Sequence, residues 1–202
     1  MTSAYSFVLN HVSLLQRVIL GLDVVLLFAV LRSRRIAYLP SSRVVHDQKT
    51  HDGGRVILRP ARGINDDDEN GAKADCRAFE VMWEDYCRHF GADGSMGASV
   101  FDRMRREGGL VLAEVNGRVV GFATFIQIEH TFSSTLYLED LYVMRSARSA
   151  GVGRALIEWT RKVAVKRGCK RLYWHALKDA DARYLYARVA NLTNLVRYQI
   201  DL

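Results

Sequence analysis

The stretch "GLVLAEVNGRVVGFATFIQIEH", residues 109–130, constrains the fold more than any other part of this chain. Two runs rich in β-branched and aromatic residues flank Asn116-Gly117. That pair accepts the left-handed backbone of a two-residue primed turn, whose twist matches the strands on either side. The stretch predicts a β-hairpin, and with it an antiparallel sheet whose apolar face needs a cover.

The flanking segments supply that cover. "RVILRPA" (55–61) reads as a strand ended by Pro60. "DDDEN" suits a helix N-terminus, where carboxylates complement the dipole. "AKADCRAFEVMWEDYCRHF" reads as a helix with Phe79, Met82, Trp83 and Tyr86 on one face. "STLYLEDLYVM" is a further strand. "VGRALIEWTRKVAVKR" puts Val152, Leu156, Trp159 and Val163 in one helical stripe, stopped by Gly168. "CKRLYWHAL" reads as a strand, "ADARYLYARVA" as a short helix and "LVRYQIDL" as a closing strand. The predicted class is α/β (α+β), a mixed, mostly antiparallel sheet flanked by helices.

Residues 1–54 differ from the rest. Their apolar run, 18–31, is broken by Asp23 and closed by Arg32, Arg34 and Arg35. A spanning helix needs about 20 apolar residues. A docked helix, a membrane anchor and a targeting extension all remain open. An anchor with arginines on its C-terminal side would keep the following domain cytoplasmic. "SSRVVHDQKTHDGG" reads as a polar linker. The expected organisation is an extension over 1–54 and one domain over 55–202. Cys76, Cys87 and Cys169 are odd in number and form no C-x-x-C pair, so neither a disulfide framework nor a cysteine-rich zinc site is expected, and no metal is assigned. A reducing, cytoplasmic location follows as the default. The net charge of +7 suits an acidic partner such as a phosphate, a nucleic acid or an anionic membrane face, or simply a solvated surface. No recognition-helix or stacking-aromatic signature supports nucleic-acid binding.

Between strand and helix lies "RSARSAGVGRAL" (145–156). A strand, a glycine turn and a helix start form an anion site, because the first helical turn leaves N–H groups unpaired. Gly151 and Gly153 remove side chains from that backbone, and Arg148, with Arg145 or Arg154, adds fixed positive charge. No G-x-x-x-x-G-K-[ST] loop occurs, and a dinucleotide fingerprint would need a small residue where Leu156 stands.

Arg148-Ser149-Ala150-Gly151-Val152-Gly153 resembles the R-x-x-G-x-G/A loop of the GNAT N-acetyltransferases. "LYLEDLYVM" (136–144) is similar to a strand of their polyamine and diamine branch. "DADARYLYARVA" is similar to that branch's N-x-x-A-x-x-x-Y segment, with Ala182 and Tyr186 in place, and "VRYQIDL" to its last strand. The resemblance covers about 55–202. It implies the acyl-CoA N-acyltransferase fold, acetyl-CoA as co-substrate and transfer of the acetyl group to a primary amine by direct attack. It assigns the pyrophosphate to Arg148, Ser149, Ala150, Gly151, Val152, Gly153 and Arg154, and the acyl carbonyl or pantetheine arm to backbone N–H groups of Leu141, Tyr142 and Val143. Asp179 stands where the branch has asparagine for a cofactor contact. Ser149 replaces a frequent glycine, and Ala190-Asn191 replaces a common Gly-Phe.

An alkylamine arrives protonated at neutral pH. Glu139 and Asp140 are the candidates to attract it and take its proton. Strand alternation gives neighbours opposite faces unless a bulge intervenes, so either residue, or both, is the base. Tyr186 is the candidate general acid for the departing thiolate. His175 is a weaker base candidate. The resemblance places Trp83, Glu84 and Asp85 on the helix that lines the acceptor side, where they would form a wall and an acidic rim, with core packing the other reading for Trp83; Cys169 lacks a histidine partner. The expected acceptor is a small amine, a polyamine, diamine or amino-acid-like molecule. Protein lysine or N-terminal acetylation, and a catalytically weak CoA-binding protein of the same fold, are the alternatives. Membrane contact through 18–31 and homodimerisation stay open.

Overall fold

A computed structural model describes residues 46–49, 55–62 and 68–200. The chain divides into compact units Met1–Ser42 and Arg43–Leu202. The apolar run 18–31 lies outside the described residues. No described helix is long and apolar enough to cross a membrane.

The second unit is built on a six-stranded sheet in sequence order. Its elements are β1 (His46–Lys49), β2 (Arg55–Pro60), α1 (Glu69–His89), α2 (Gly97–Arg106), β3 (Leu110–Val115), β4 (Arg118–Glu129), β5 (Ser134–Val143), α3 (Val152–Lys166), β6 (Arg171–Tyr173) and α4 (Arg183–Val189). Neighbours from β1 to β5 pair antiparallel, and β5 pairs parallel with β6. The hairpin forms as expected. Val115 pairs with Arg118, and Asn116 and Gly117 take φ of 50° and 75°, the two positive values a primed turn needs.

The two faces of β4 take different helices. Phe122 packs on Phe79 of α1, with ring centroids 4.7 Å apart, whereas Phe125 packs on Trp159 of α3 at 6.1 Å. Odd and even positions thus serve opposite covers. Phe79, Met82, Phe101, Met104, Leu110, Leu112 and Phe122 form the core under α1 and α2. The four stripe residues Val152, Leu156, Trp159 and Val163 are all buried, and Gly168 ends the helix at φ 72°.

Asp68 caps α1 by accepting a hydrogen bond from the Gly71 N–H at 2.8 Å. Asp75, one turn further on, is 1% exposed and pairs with Arg59 at 2.6 Å and Arg62 at 2.9 Å. Burial would raise its pKa, but the hydrogen bonds from Arg59 and Arg62 outweigh that and hold it below the usual carboxylate range.

Three expectations need correction. His46–Lys49, inside the segment read as a linker, forms β1 on the edge of the sheet, so the domain begins before Arg55. The helix α2 had no counterpart in the sequence reading. Its buried set is Gly97, Phe101 and Met104, too sparse a stripe in ten residues to stand out. The closing strand "LVRYQIDL" does not form within 191–200: Leu195, Val196, Tyr198 and Ile200 are 83%, 73%, 91% and 86% exposed. An alternating pattern states only that a segment can be a strand, and its tertiary context decides whether it becomes one.

Candidate active site

The two outer strands diverge. β5 and β6 pair only over Thr135–Tyr137 and Arg171–Tyr173. Among the described residues, the outer edge of Leu138–Val143 has no strand partner; Tyr142 turns its N–H and C=O toward β4, and the alternate residues Leu141 and Val143 turn theirs to that outer edge. Immediately after it come a 3-10 turn, Arg145–Ala147, and the loop that starts α3. The Arg148 side chain folds back and donates Nε–H to the Val143 carbonyl at 3.0 Å, which fastens the loop to the end of the strand.

The loop has the backbone of an anion cradle. Ser149 lies at φ 64° and Gly151 at φ 88°. Both are left-handed, which explains why glycine is common at the position Ser149 holds. A Cβ on Gly151 would meet nothing within 4 Å, so that backbone is open to a ligand. Gly153 has a further neighbour. Its Cβ would lie 3.1 Å from Leu185 Cδ2 and 3.8 Å from Val143 Cγ2. Its lack of a side chain lets α4 approach α3. Arg145, Arg148 and Arg154 are exposed around the loop, and Asp179 is exposed in the turn before α4. An open glycine backbone, a helix N-terminus and three exposed guanidinium groups fit a pyrophosphate.

A β-bulge decides the placement of the acidic pair. Thr124 pairs with Asp140 and the next residue, Phe125, pairs with Leu138, so Glu139 is the extra residue. Asp140 faces α1. It accepts a hydrogen bond from Thr124 Oγ1 at 2.5 Å. Burial and the neighbouring Asp140 carboxylate push the Tyr86 phenol far above its usual range. Glu139 is exposed overall, yet partial burial of its carboxyl and the Asp140 charge raise its pKa. Arg103 opposes the shift and Glu107 adds to it. Arg103 and Glu107 lie on and just after α2, so Glu139 and Asp140 both address the side of the sheet that α1 and α2 cover. Neither residue needs to be chosen over the other on grounds of facing.

Tyr186 sits on α4, half-buried, with its ring 5.3 Å from Trp174 in an edge-on contact. Burial raises its phenol pKa, which keeps the proton on oxygen. Its electrostatic influence reaches the Tyr86 phenol on α1. The Tyr142 side chain is 8% exposed and donates to Asp85 Oδ2 at 2.5 Å. Burial and that bond push its phenol up to about 12. Trp83 packs half-buried against the core and stacks on Phe79 at 5.7 Å, a structural role. Burial pushes the Cys169 thiol up, the opposite of what a nucleophile needs. Among the described residues no cluster of histidine, cysteine and carboxylate side chains could hold a metal.

The sequence reading has Tyr86 only on an apolar helix face and does not single out Thr124. Both bind Asp140 from other elements, and no local spacing signals such partners.

The model of the acetyltransferase (GNAT) family matches residues 74–190, and the chain belongs to that family. Over 97 residues it is 35% identical to the D-amino-acid N-acetyltransferase HPA3 of Saccharomyces cerevisiae, a match covering 46% of this chain and 59% of that protein. The chain thus spans about three fifths of the length of this curated relative. The ribosomal-protein-alanine N-acetyltransferase structure from Brucella melitensis biovar Abortus 2308 superposes with a TM-score of 0.57 at 20% identity, over 73% of this chain and 97% of that one. The aminoglycoside N-acetyltransferase AAC(6')-Iy, solved in complex with CoA, gives a TM-score of 0.57 at 14% identity, over 80% and 99% of the two chains. These similarities are of fold. They agree with the mixed sheet and flanking helices expected from the sequence.

Proposed function

We propose that this chain is an acetyl-CoA-dependent N-acetyltransferase that acetylates a primary amine of a small molecule by direct attack. The observation that carries the reading is the bulge at Glu139, which sets two carboxylates beside the open edge of β5, next to the left-handed loop. Acetyl-CoA, when bound, supplies an activated thioester carbonyl. The backbone of Ser149–Gly153 and the exposed Arg145, Arg148 and Arg154 would hold its pyrophosphate. Free N–H groups of Leu141 and Val143 would orient the acyl arm and stabilise negative charge on its oxygen.

Asp140 and Glu139 attract the ammonium form of the acceptor, and one of them takes its proton, directly or through water. Asp140 is held in place by Thr124, and Glu139 has the raised pKa that brings a carboxylate nearer to a useful base. The Tyr186 hydroxyl keeps a proton available for the departing sulfur. Overall, a new C–N bond replaces the C–S bond; of the two protons the ammonium nitrogen loses, the first passes through the carboxylate to solvent and the second is balanced by the one gained on sulfur. Polyamines and diamines suit an acidic pair. An amino-acid α-amine is the second reading, favoured by the 35% identity to a D-amino-acid N-acetyltransferase.

The test is thiol release from acetyl-CoA with a panel of monoamines, diamines, D-amino acids and a lysine peptide. Turnover with a small amine above the no-acceptor rate is expected. Turnover with the peptide alone would overturn the small-molecule reading.

A further inference from the structure

Beyond the acidic pair, the same side of the sheet carries an aromatic cluster that the proposed chemistry does not use. Tyr137 on β5 stands opposite Ile126, which packs against the α1–α2 core, so Tyr137 faces that side too. Tyr173 is its partner on β6, and His175 follows two residues later. Ring centroids lie 5.2 Å apart for Tyr137–Tyr173, 5.5 Å for Tyr137–His175 and 5.9 Å for Tyr173–His175. The interplanar angles are 41°, 57° and 84°, so the three rings are inclined to one another rather than stacked flat. His175 Nδ1 and the Tyr137 hydroxyl are 3.3 Å apart, which ties two of the rings together. Tyr137 and Tyr173 are half-buried and His175 is exposed, so no helix of the domain covers the cluster completely.

The position of this cluster gives it meaning. Tyr137 and Asp140 are three residues apart on one strand, about 10 Å at an extended rise. Glu139 lies between them, near enough for its charge to act on the Tyr137 phenol. Inclined aromatic faces beside a carboxylate attract a cation, through the ring quadrupole and through direct charge. The ring faces themselves repel a carboxylate. The cations nearby, Arg103 and Arg197, are exposed, and water and salt screen their repulsion.

We infer that Tyr137, Tyr173 and His175 form, with Glu139, a specificity subsite for the distal ammonium of a diamine acceptor, the end that is not acetylated. This rests on the acetyltransferase reading above. Asp140 then addresses the reacting nitrogen, and the aromatic cluster addresses the far one. His175, read from sequence as a weak base candidate, orients the Tyr137 phenol instead of moving a proton.

The experiment compares 1,5-diaminopentane with n-pentylamine, which differ only at the far end, in steady-state acetylation by the full chain. The wild type is expected to show a lower KM for the diamine at similar kcat. Tyr173→Leu, which removes a ring, should raise the diamine KM by about twofold to thirtyfold, the range of a cation–π contact. It should raise the n-pentylamine KM by less than the diamine KM. Tyr173→Phe, which keeps the ring, should restore the wild-type preference even if the leucine variant folds poorly. Equal KM for the two amines in the wild type, or equal losses for both in Tyr173→Leu with no rescue by phenylalanine, would overturn the subsite. Absence of turnover with every amine in the panel would instead overturn the acetyltransferase reading itself.

Discussion

Two glycines of the loop, two residues apart, should respond oppositely to the same substitution. Gly151 sits at φ 88° with open space where a Cβ would lie. Alanine there costs about 1–2 kcal/mol of backbone strain. For a chain of this size that lowers the melting temperature by roughly 2–8 °C, at about 2–4 °C per kcal/mol. The methyl also enters the space the pyrophosphate would use. Losing a hydrogen bond to a charged group is worth about 1.5–3 kcal/mol, so acetyl-CoA affinity should fall about tenfold to a hundredfold. Gly153 is helical, and alanine there gains up to about 1 kcal/mol of helix propensity. Its methyl, however, would lie 3.1 Å from Leu185 Cδ2. Carbon atoms rest at about 3.5–4.0 Å, so Leu185 must move by roughly half an ångström. Tyr186 is the next residue on α4. A 1 Å misplacement of a catalytic group costs about a hundredfold, so turnover should fall roughly threefold to tenfold. Affinity and melting temperature should stay near wild type. Calorimetry with acetyl-CoA, thermal melts and initial rates on both variants decide the matter. Unchanged affinity in Gly151→Ala would remove the loop from the cofactor site. Equal affinity losses in both variants would show that a methyl at Gly153 disturbs the ligand site as much as one at Gly151.

Tyr186→Phe should lower turnover at least roughly tenfold with acetyl-CoA affinity retained, since general acids contribute about 10²–10⁴-fold; full activity would return Tyr186 to a packing role against Trp174. Glu139 has a raised pKa, so activity that needs its carboxylate should fall as pH drops through a value above the ordinary glutamate range. Glu139→Gln should abolish that acid limb of the kcat/KM profile, and an unchanged profile would assign the base to Asp140. Asp75 has a depressed pKa, so its stabilisation is present above the unfolded carboxylate value and is lost as pH falls through the lower folded value. Asp75→Asn leaves Arg59 and Arg62 short of a partner and should cost about 3–5 kcal/mol in urea unfolding at neutral pH. It should also flatten the loss of stability on acidification.

Several features of this molecule are local, and local features are legible in a sequence. The primed turn at Asn116-Gly117, the cap at Asp68, the apolar stripe of α3 and its stop at Gly168 each depend on residues within one or two turns of chain. The loop Arg148–Gly153 belongs to the same group, because its motif combines strand end, left-handed backbone and helix start in adjacent residues. Other features depend on what lies across space. The bulge that brings Glu139 and Asp140 to one side arises from a register shift against Thr124 and Phe125, fifteen residues away by the hairpin's path. Gly153 is small because α4 packs on it, and Asp140 is held by Thr124 beside Tyr86, which come from two other elements. The segment 195–200 shows the reverse. Its alternation specifies a strand, but a strand forms only on pairing with another, and in the described fold 195–200 is not a strand. Periodicity states what a segment can do, and tertiary packing decides whether a partner is present to let it.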